Sequence, residues 1–471
     1  MKRRLVFLFA SRVMVVAAML WSGFAVASTT LVLSPDSVPP TKTTAASGAG
    51  FVGPESVDLY FDSARVATAS ANAAGTFSDV TLTVPQAATP GVHTIKAIGR
   101  SSAATAQAQL TVSTNWLQSG FNGGHTHYNP YENIVGADSV ADLTLQWTRT
   151  VGGAAGSFLS PVAAHQLIYF AGTHSLYSIH PDTGAGHWSV PLNASGAPVI
   201  VHDTIVVVGF DADGISHLAA FDSGSGQPQW SVELSPLGDI AADADAVYVS
   251  TGKSLSAYAA ATGVLRWQTA LPGCSYYYPA SGPIVASGKI YVGCYDGNLL
   301  AVNAADGALQ WSAPVGPIER SPAAQGSLVY VTDVNGKVYA FNTADGSPRW
   351  SAQMDSSDFR FSPAVAGDIV YQVSTADTLF AFNKTSGRLL WSVADAGNTN
   401  PAIANGVLYL GGGTGIEAYD ALSGARLSTP QVQASTVVSD PVIVNGRLYV
   451  VDNAASTVVL KAFGLPTGAA Q

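Results

Sequence analysis

Charge is scarce in this chain: 11% of its 471 residues are Asp, Glu, Lys or Arg. The 21 basic residues form no run beyond the first few positions. Phosphate neutralisation needs grouped Lys and Arg, so nucleic acid is not expected as a partner, and an anionic membrane surface is disfavoured for the same reason. Cysteine is rarer still, with Cys274 and Cys294 alone and no CxxC spacing, which argues against a redox or zinc role. No GxSxG occurs, and no nucleophile stands beside an evident base. The long apolar run at the N-terminus starts basic (Lys2, Arg3, Arg4), and its stretch after Arg12 ends at Ala25-Val26-Ala27. That stretch is shorter than the roughly 20 residues a bilayer span needs, so residues 1–27 read as a cleaved secretory signal rather than an anchor. No Cys follows it to carry a lipid. The expectation is a secreted, periplasmic or cell-surface protein with no transmembrane span after cleavage. Removal of the signal leaves 17 basic against 31 acidic residues, a net charge of −14.

Gly, Ala, Ser, Thr and Val dominate what remains, with β-branched and aromatic runs between Gly, Asn and Asp punctuation, which reads as all-β. The length exceeds one ordinary domain. The phrase AFNTADGSPRW, Ala340 to Trp350, has relatives along the chain: SIHPDTGAGHW, AFDSGSGQPQW, AYAAATGVLRW, AVNAADGALQW, AFNKTSGRLLW and, last, AYDALSGARLS. With Trp147 in front, Trp188, Trp230, Trp267, Trp311, Trp350, Trp391 and finally Ser428 mark eight positions 37 to 44 residues apart. A period near 40 with short β runs is the signature of propeller blades. Small-Pro openings (Pro161, Pro198, Pro283, Pro322, Pro363, Pro401, Pro441, with Ala241-Ala242 in the remaining slot) and a second-strand series from Tyr169 to Tyr449 give the same count. The fold expected is an eight-bladed β-propeller of four-stranded blades. Its last period ends at VVLKAFG without a fourth strand, so the segment around Trp147 supplies the missing outer strand and closes the ring.

The phrase has a mechanical reading. Asn or Asp at Asp222, Asn303, Asn342, Asn383 and Asp420 bonds its own backbone, and the following Gly supplies positive φ for the turn from third to fourth strand. The Trp then leaves the outer strand toward a neighbouring blade. Burying about 150 to 250 Å² of indole at ~25 cal/mol/Å² gives on the order of 4 to 6 kcal/mol gross per blade, an upper bound. Docking between blades is the leading role for these tryptophans, with carbohydrate stacking the competing one. Cys274, in the connection leading into the fourth blade, and Cys294, at the end of its second strand, fall at one rim and can pair across 20 residues. Such a bridge contributes about 3 kcal/mol by restricting the unfolded chain.

The repeat, Asn/Asp, then Thr/Ser/Asp-Gly, three residues and Trp, resembles the propeller repeat of the pyrroloquinoline-quinone (PQQ) type found in quinoprotein dehydrogenases and the assembly factor BamB. The lead-in WLQSGFNGGHTHYNPYENIVGADSVADLTLQW, Trp116 to Trp147, resembles the start of such propellers, and the likeness covers roughly residues 115 to 464. For a quinoprotein it implies an adjacent Cys-Cys disulfide, a calcium ion on carboxylate and amide side chains, an Asp base and long roofing insertions. This chain has no Cys-Cys pair and its blades are too compact for such insertions, so PQQ and Ca²⁺ are not the expected cofactors, and the likeness fits the non-catalytic branch of envelope scaffolds better.

Residues 29–113 carry strand patterns (VDLYFD, RVATASA, GTFSDVTLTV, GVHTIKAIG) that resemble bacterial immunoglobulin-like domains, without the Cys pair of antibodies. The expected layout is a signal at 1–27, this sandwich, a lead-in at 114–140, the propeller at 141–464 and a tail at 465–471. Among smaller motifs, TGKS at Thr251 and the DxxG stretches at Asp211 and Asp333 read as turns rather than phosphate or calcium loops. His125 and His127 lack a third metal ligand in sequence. The loops leading into each blade's first strand converge on the channel mouth and gather Glu319, Arg320, Arg360, Asn400 and Asp440 with Tyr276, Tyr277, Tyr278 and Phe158. This rim is the candidate ligand or partner site; the competing reading is that Glu319 and Asp440 neutralise the arginines beside a solvated channel. The function expected is non-catalytic binding or scaffolding toward a protein or glycan, with a PQQ-dependent dehydrogenase as the alternative.

Overall fold

The computed structural model describes residues 28–152, 160–172, 174–211, 213–234, 238–274, 281–354, 361–413, 415–428, 437, 439–454 and 457–466. The candidate signal at 1–27 and the rim residues Phe158, Tyr276, Tyr277, Tyr278 and Arg360 lie outside them. Among the described residues the only helix is a 3₁₀ turn at Val140–Asp142, and no helix is long and apolar enough to cross a membrane.

The chain divides into two compact units, one drawn from residues before 110 and one holding Leu110 onward with Asp36–Thr43 and Thr83–His93. The strands of residues 30–112 form a three-stranded sheet (Thr30–Ser34, Thr43–Ala49, Phe77–Thr83) and a five-stranded one (Ser37–Val38, Thr105–Val112, Gly91–Gly99, Glu55–Phe61, Ala64–Ala71). Alternate residues of Glu55–Phe61 are buried, as period-two patterning requires. Arg100 donates two hydrogen bonds to Asp58 and holds its carboxyl down to about 2.

After residue 113 the described residues form eight sheets, each built on an up-and-down run of four strands. Their first strands are Val162–Ala164, Val199–Val201, Asp239–Ala242, Ile284–Ala286, Ala323–Gln325, Ala364–Ala366, Ala402–Ala404 and Val442–Val444, and consecutive ones touch in that order. We number the sheets one to eight accordingly. Sheet eight takes its outer strand, Thr144–Gly152, from far earlier in the chain, paired to Thr457–Gly464. Its partner strands begin some 300 residues later, so this pairing fastens the N-terminal part of the unit to its C-terminal end.

Sheet five shows why the phrase folds as it does. Tyr330 of the second strand lies opposite Ala340 of the third, and Ala340 opposite Trp350 of the fourth. The small alanine lets the outer rings meet, with centroids 6.0 Å apart. Equivalent pairs recur, from Tyr169–Trp188 to Tyr371–Trp391 and Tyr449–Trp147. A register shift beside each Trp, here between Ala340 and Phe341, adds one residue to the outer strand and re-aims the indole.

Each indole then reaches the turn of the next sheet. Trp350 Nε1 donates to the Lys384 carbonyl at 2.8 Å, and its ring covers Gly387, where an added Cβ would come within 2.6 Å of the indole. Gly387 also has φ +69°. One glycine therefore meets two demands, a left-handed turn and room for a neighbour's ring. The same Trp-on-Gly seat joins Trp147 to Gly184, Trp188 to Gly226, Trp230 to Gly263, Trp267 to Gly307, Trp311 to Gly346 and Trp391 to Gly424. The last phrase ends in Ser428, at the eighth position, for a reason visible here. Sheet eight builds its outer strand from the earlier segment, so it has no third-to-fourth turn, and no glycine seat exists for an eighth indole.

Candidate functional site

The stretch from Trp116 to Asn129, read from sequence as part of a lead-in, is a strap that touches all eight sheets in order. The contact is with the middle residue of the first strand, or in sheet three with its last. Trp116 exchanges two backbone hydrogen bonds with Ala163, and Ile200 N donates to the Leu117 carbonyl at 2.8 Å. The Gln118 side chain accepts from Ala242 N and donates to Ala242 O, both at 3.0 Å. Val285, Ala324, Val365 and Ile403 donate their N–H groups to the carbonyls of Gly123, Gly124, Thr126 and His127. Asn129 Nδ2 donates to Ile443 O at 2.8 Å, completing the round. First strands of a radial array present unpaired backbone groups inward, and the strap satisfies them.

Above this strap lies a cavity of about 1010 Å³. Its floor is formed by Gln118, Ser119, Gly123 and His125 of the strap, and its wall by residues before and within the first strands, with Val208 from a second strand. On sheets two to four the wall is mostly small or apolar, with Ala197, Val199, Val208, Ile240 and Gly282, but it also carries Ser195 and the carboxylate of Asp239. On sheets five to eight it is polar, with Ser321, Ser362, Asn400 and Asp440. Three of these polar residues are joined, with Ser160 beside them: Asn400 accepts from Ser362 N at 2.7 Å, Asp440 accepts from Asn400 N and Nδ2 at 3.1 and 3.0 Å, and Asp440 N donates to Ser160 Oγ at 3.2 Å.

Of the rim residues proposed from sequence, Glu319, Arg320, Asn400 and Asp440 all line this cavity. Glu319 and Arg320 are exposed to its water. Asp440 accepts two hydrogen bonds from Asn400, and the Arg320 charge also acts on it. Sequence reasoning passed over Asp239, Asp377 and Gln118, which also line the cavity, and weighed His125, another lining residue, only as a metal ligand. Asp239 stands in the loop GDIAAD, beside the one first strand without a proline opening, and that departure was the available signal.

Burial shapes the titration of these groups. Desolvation raises the Asp440 carboxyl to about 6, although the Asn400 bonds, Ser160 and the Arg320 charge pull the other way. Asp239 is raised by desolvation too, with Arg320 opposing, even though the residue is exposed. His125 is lowered to about 4 by burial and His127 further, so both rings are neutral at pH 7. They contact each other, His127 Nε2 to His125 Nδ1 at 3.3 Å, and among the described residues no group of three His, Cys, Asp or Glu could hold a metal ion.

The raised Asp440 carboxyl yields a measurable sign. The folded group keeps its proton up to about pH 6, while an unfolded aspartate releases it near 3.8. Stability is therefore greatest with the proton on and falls as pH rises through that window. Asp440→Asn retains an acceptor for Asn400 without the desolvated charge. Its Tm should exceed that of the wild type at pH 7.5, with the gap narrowing steadily from pH 6.5 to 4. A gap that does not change with pH would mean that Asp440 titrates normally.

Cys274 and Cys294 form a disulfide, Cα atoms 5.0 Å apart, as the strand placement anticipated, and it fits an oxidising compartment. The tryptophans fill seats between sheets rather than facing this cavity.

The profile of the outer membrane protein assembly factor BamB matches residues 132–271, 216–321 and 296–468. BamB from Moraxella catarrhalis superposes with a TM-score of 0.57 at 19% identity, over 70% of this chain and 99% of that one. Quinohemoprotein alcohol dehydrogenases from Pseudomonas putida HK5 and Comamonas testosteroni each give 0.62, at 14% and 13% identity, over 76% of this chain and 81% of theirs. No functionally curated protein matches the chain. Identities this low speak for the fold, a β-propeller of PQQ-like repeats. The two cysteines are bonded across 20 residues rather than adjacent, Phe361 is the one benzenoid ring among the described cavity residues, and the cation-holding cluster is absent among them too. With the profile matched from residue 132 to 468, well over half the chain, the protein belongs to the BamB outer membrane assembly factor family.

Proposed function

We propose that this is a non-catalytic binding or scaffold protein, exported to the envelope or beyond, whose eight sheets are the blades of one closed propeller and whose N-terminal module is an immunoglobulin-like sandwich. It engages a protein or glycan partner at the cavity mouth, and the rim residues act there. The observation that carries this reading is the one-sided cavity: the strap floors it, a hydrogen-bonded arc from Ser362 to Ser160 stiffens one wall, and Glu319 and Arg320 stand exposed at the opening. A rigid concave surface with a few oriented polar groups suits recognition.

Because both native cysteines are bonded, a single introduced thiol can be labelled selectively. Glu319→Cys carrying a bulky maleimide should lose capture of the envelope partner or glycan, while the same label on Val32→Cys, exposed on the strand Thr30–Ser34, should not. Equal capture by both labelled proteins would remove the mouth from consideration. Addition of PQQ and Ca²⁺ should give no dye-linked alcohol oxidation.

A further inference from the structure

The charge of the cavity and the layout of its wall narrow the class of ligand, given the proposed role of the mouth as the binding site. Four carboxylates among the described lining residues, Asp239, Glu319, Asp377 and Asp440, face one guanidinium, Arg320. His125 beneath them is neutral. Ala197, Val199, Val208 and Ile240 give the lining an aliphatic part, with Asp239 and Ser195 set among them. Gln118, Ser119, Gly123 and His125 of the strap line the cavity as well.

A neutral sugar would leave these carboxylates without counter-charge, and an anion would be repelled. The group that matches a net negative cup with a partly aliphatic lining is a cation on an apolar stem, the shape of a Lys or Arg side chain. Arg320 is itself such a group. It is exposed, and it lies near enough to Asp239 and Asp440 to lower the pKa of both. It acts as a resident counter-ion that an incoming cation displaces.

We propose that the cavity receives a Lys- or Arg-bearing loop or chain end of a polypeptide partner, its cationic head among Asp239, Glu319 and Asp440 and its stem against the aliphatic part of the lining, in competition with Arg320. The sign of the Arg320 effect separates this from every reading in which arginine is the anchor.

Calorimetric titration of the full chain at low ionic strength, with tetralysine, spermine and tetraglutamate, tests the proposal. Tetralysine should bind saturably and one to one. Asp239→Asn combined with Glu319→Gln should weaken it about tenfold or more, added salt should weaken it further, and Arg320→Ala should tighten it. Weaker binding in Arg320→Ala, or a preference for tetraglutamate, would overturn the proposal; spermine binding without tetralysine binding would overturn its polypeptide half. If tetralysine fails while the labelled Glu319→Cys still loses its envelope partner, the mouth remains the site and only the cationic assignment falls.

Discussion

Trp350→Ala is expected to lower stability by about 3–5 kcal/mol, among the largest single-site losses in the molecule. The ring has three partners to lose: Tyr330 in its own sheet, the Lys384 carbonyl, and the face of Gly387 in the next sheet. Nothing nearby can collapse into the space without moving a strand, because Ala340 beneath it is already small and fully buried. The reciprocal change, Gly387→Ala, should cost on the order of 2–4 kcal/mol, part from an L-residue held at positive φ and part from the clash with the indole. The two should not add. With the indole gone, the clash disappears, and Gly387→Ala in the Trp350→Ala background should cost only the backbone part, about 1–2 kcal/mol. Denaturant unfolding of the four proteins gives this cycle directly. Simple additivity, or a Trp350→Ala loss below about 1 kcal/mol, would show that the indole does not hold the sheets together.

That coupling marks what was legible in the sequence and what was not. The Asn-to-Gly turn and the eight-position count come from local rules, because turn chemistry and period-two strands act between residues close in sequence. The seat of each Trp on the following glycine lies some 35 residues away. No local rule reaches that far, so the glycine read as a turn former alone. Its second duty required coordinates.

The strap was hidden for a different reason. Its contacts are backbone carbonyls of Trp116, Leu117, Gly123, Gly124, Thr126 and His127, and every residue type carries a carbonyl. Pattern reading sees side chains, so a segment that works through its main chain reads as a connector. The two side chains it does use, Gln118 and Asn129, stand where the strap's backbone cannot reach sheets three and eight. The rim was partly legible because pre-proline residues mark where each loop enters its first strand. Asp239 escaped because sheet three lacks that proline.

The strap therefore carries the second large effect. Gln118 is buried and its amide holds both the N–H and the carbonyl of Ala242, on the innermost strand of sheet three. Gln118→Met conserves volume and shape while deleting donor and acceptor together. Methionine has no amide to replace them, so Ala242 is left with two main-chain groups short of partners. Each such loss costs about 1–3 kcal/mol, which puts the variant about 2–5 kcal/mol below the wild type. Gln118→Glu separates the halves: it still accepts from Ala242 N but opposes its carbonyl, and below its own pKa the protonated acid can donate again. Its deficit should therefore shrink as pH falls, whereas that of Gln118→Met should stay constant. Hydrogen exchange adds a spatial readout, with the Ala242 amide losing protection before those of Val285 and Ala324, whose bonds run to strap carbonyls that the substitution leaves in place. Unchanged stability in Gln118→Met, with Ala242 still protected, would mean that the strap lies on the sheets without holding them.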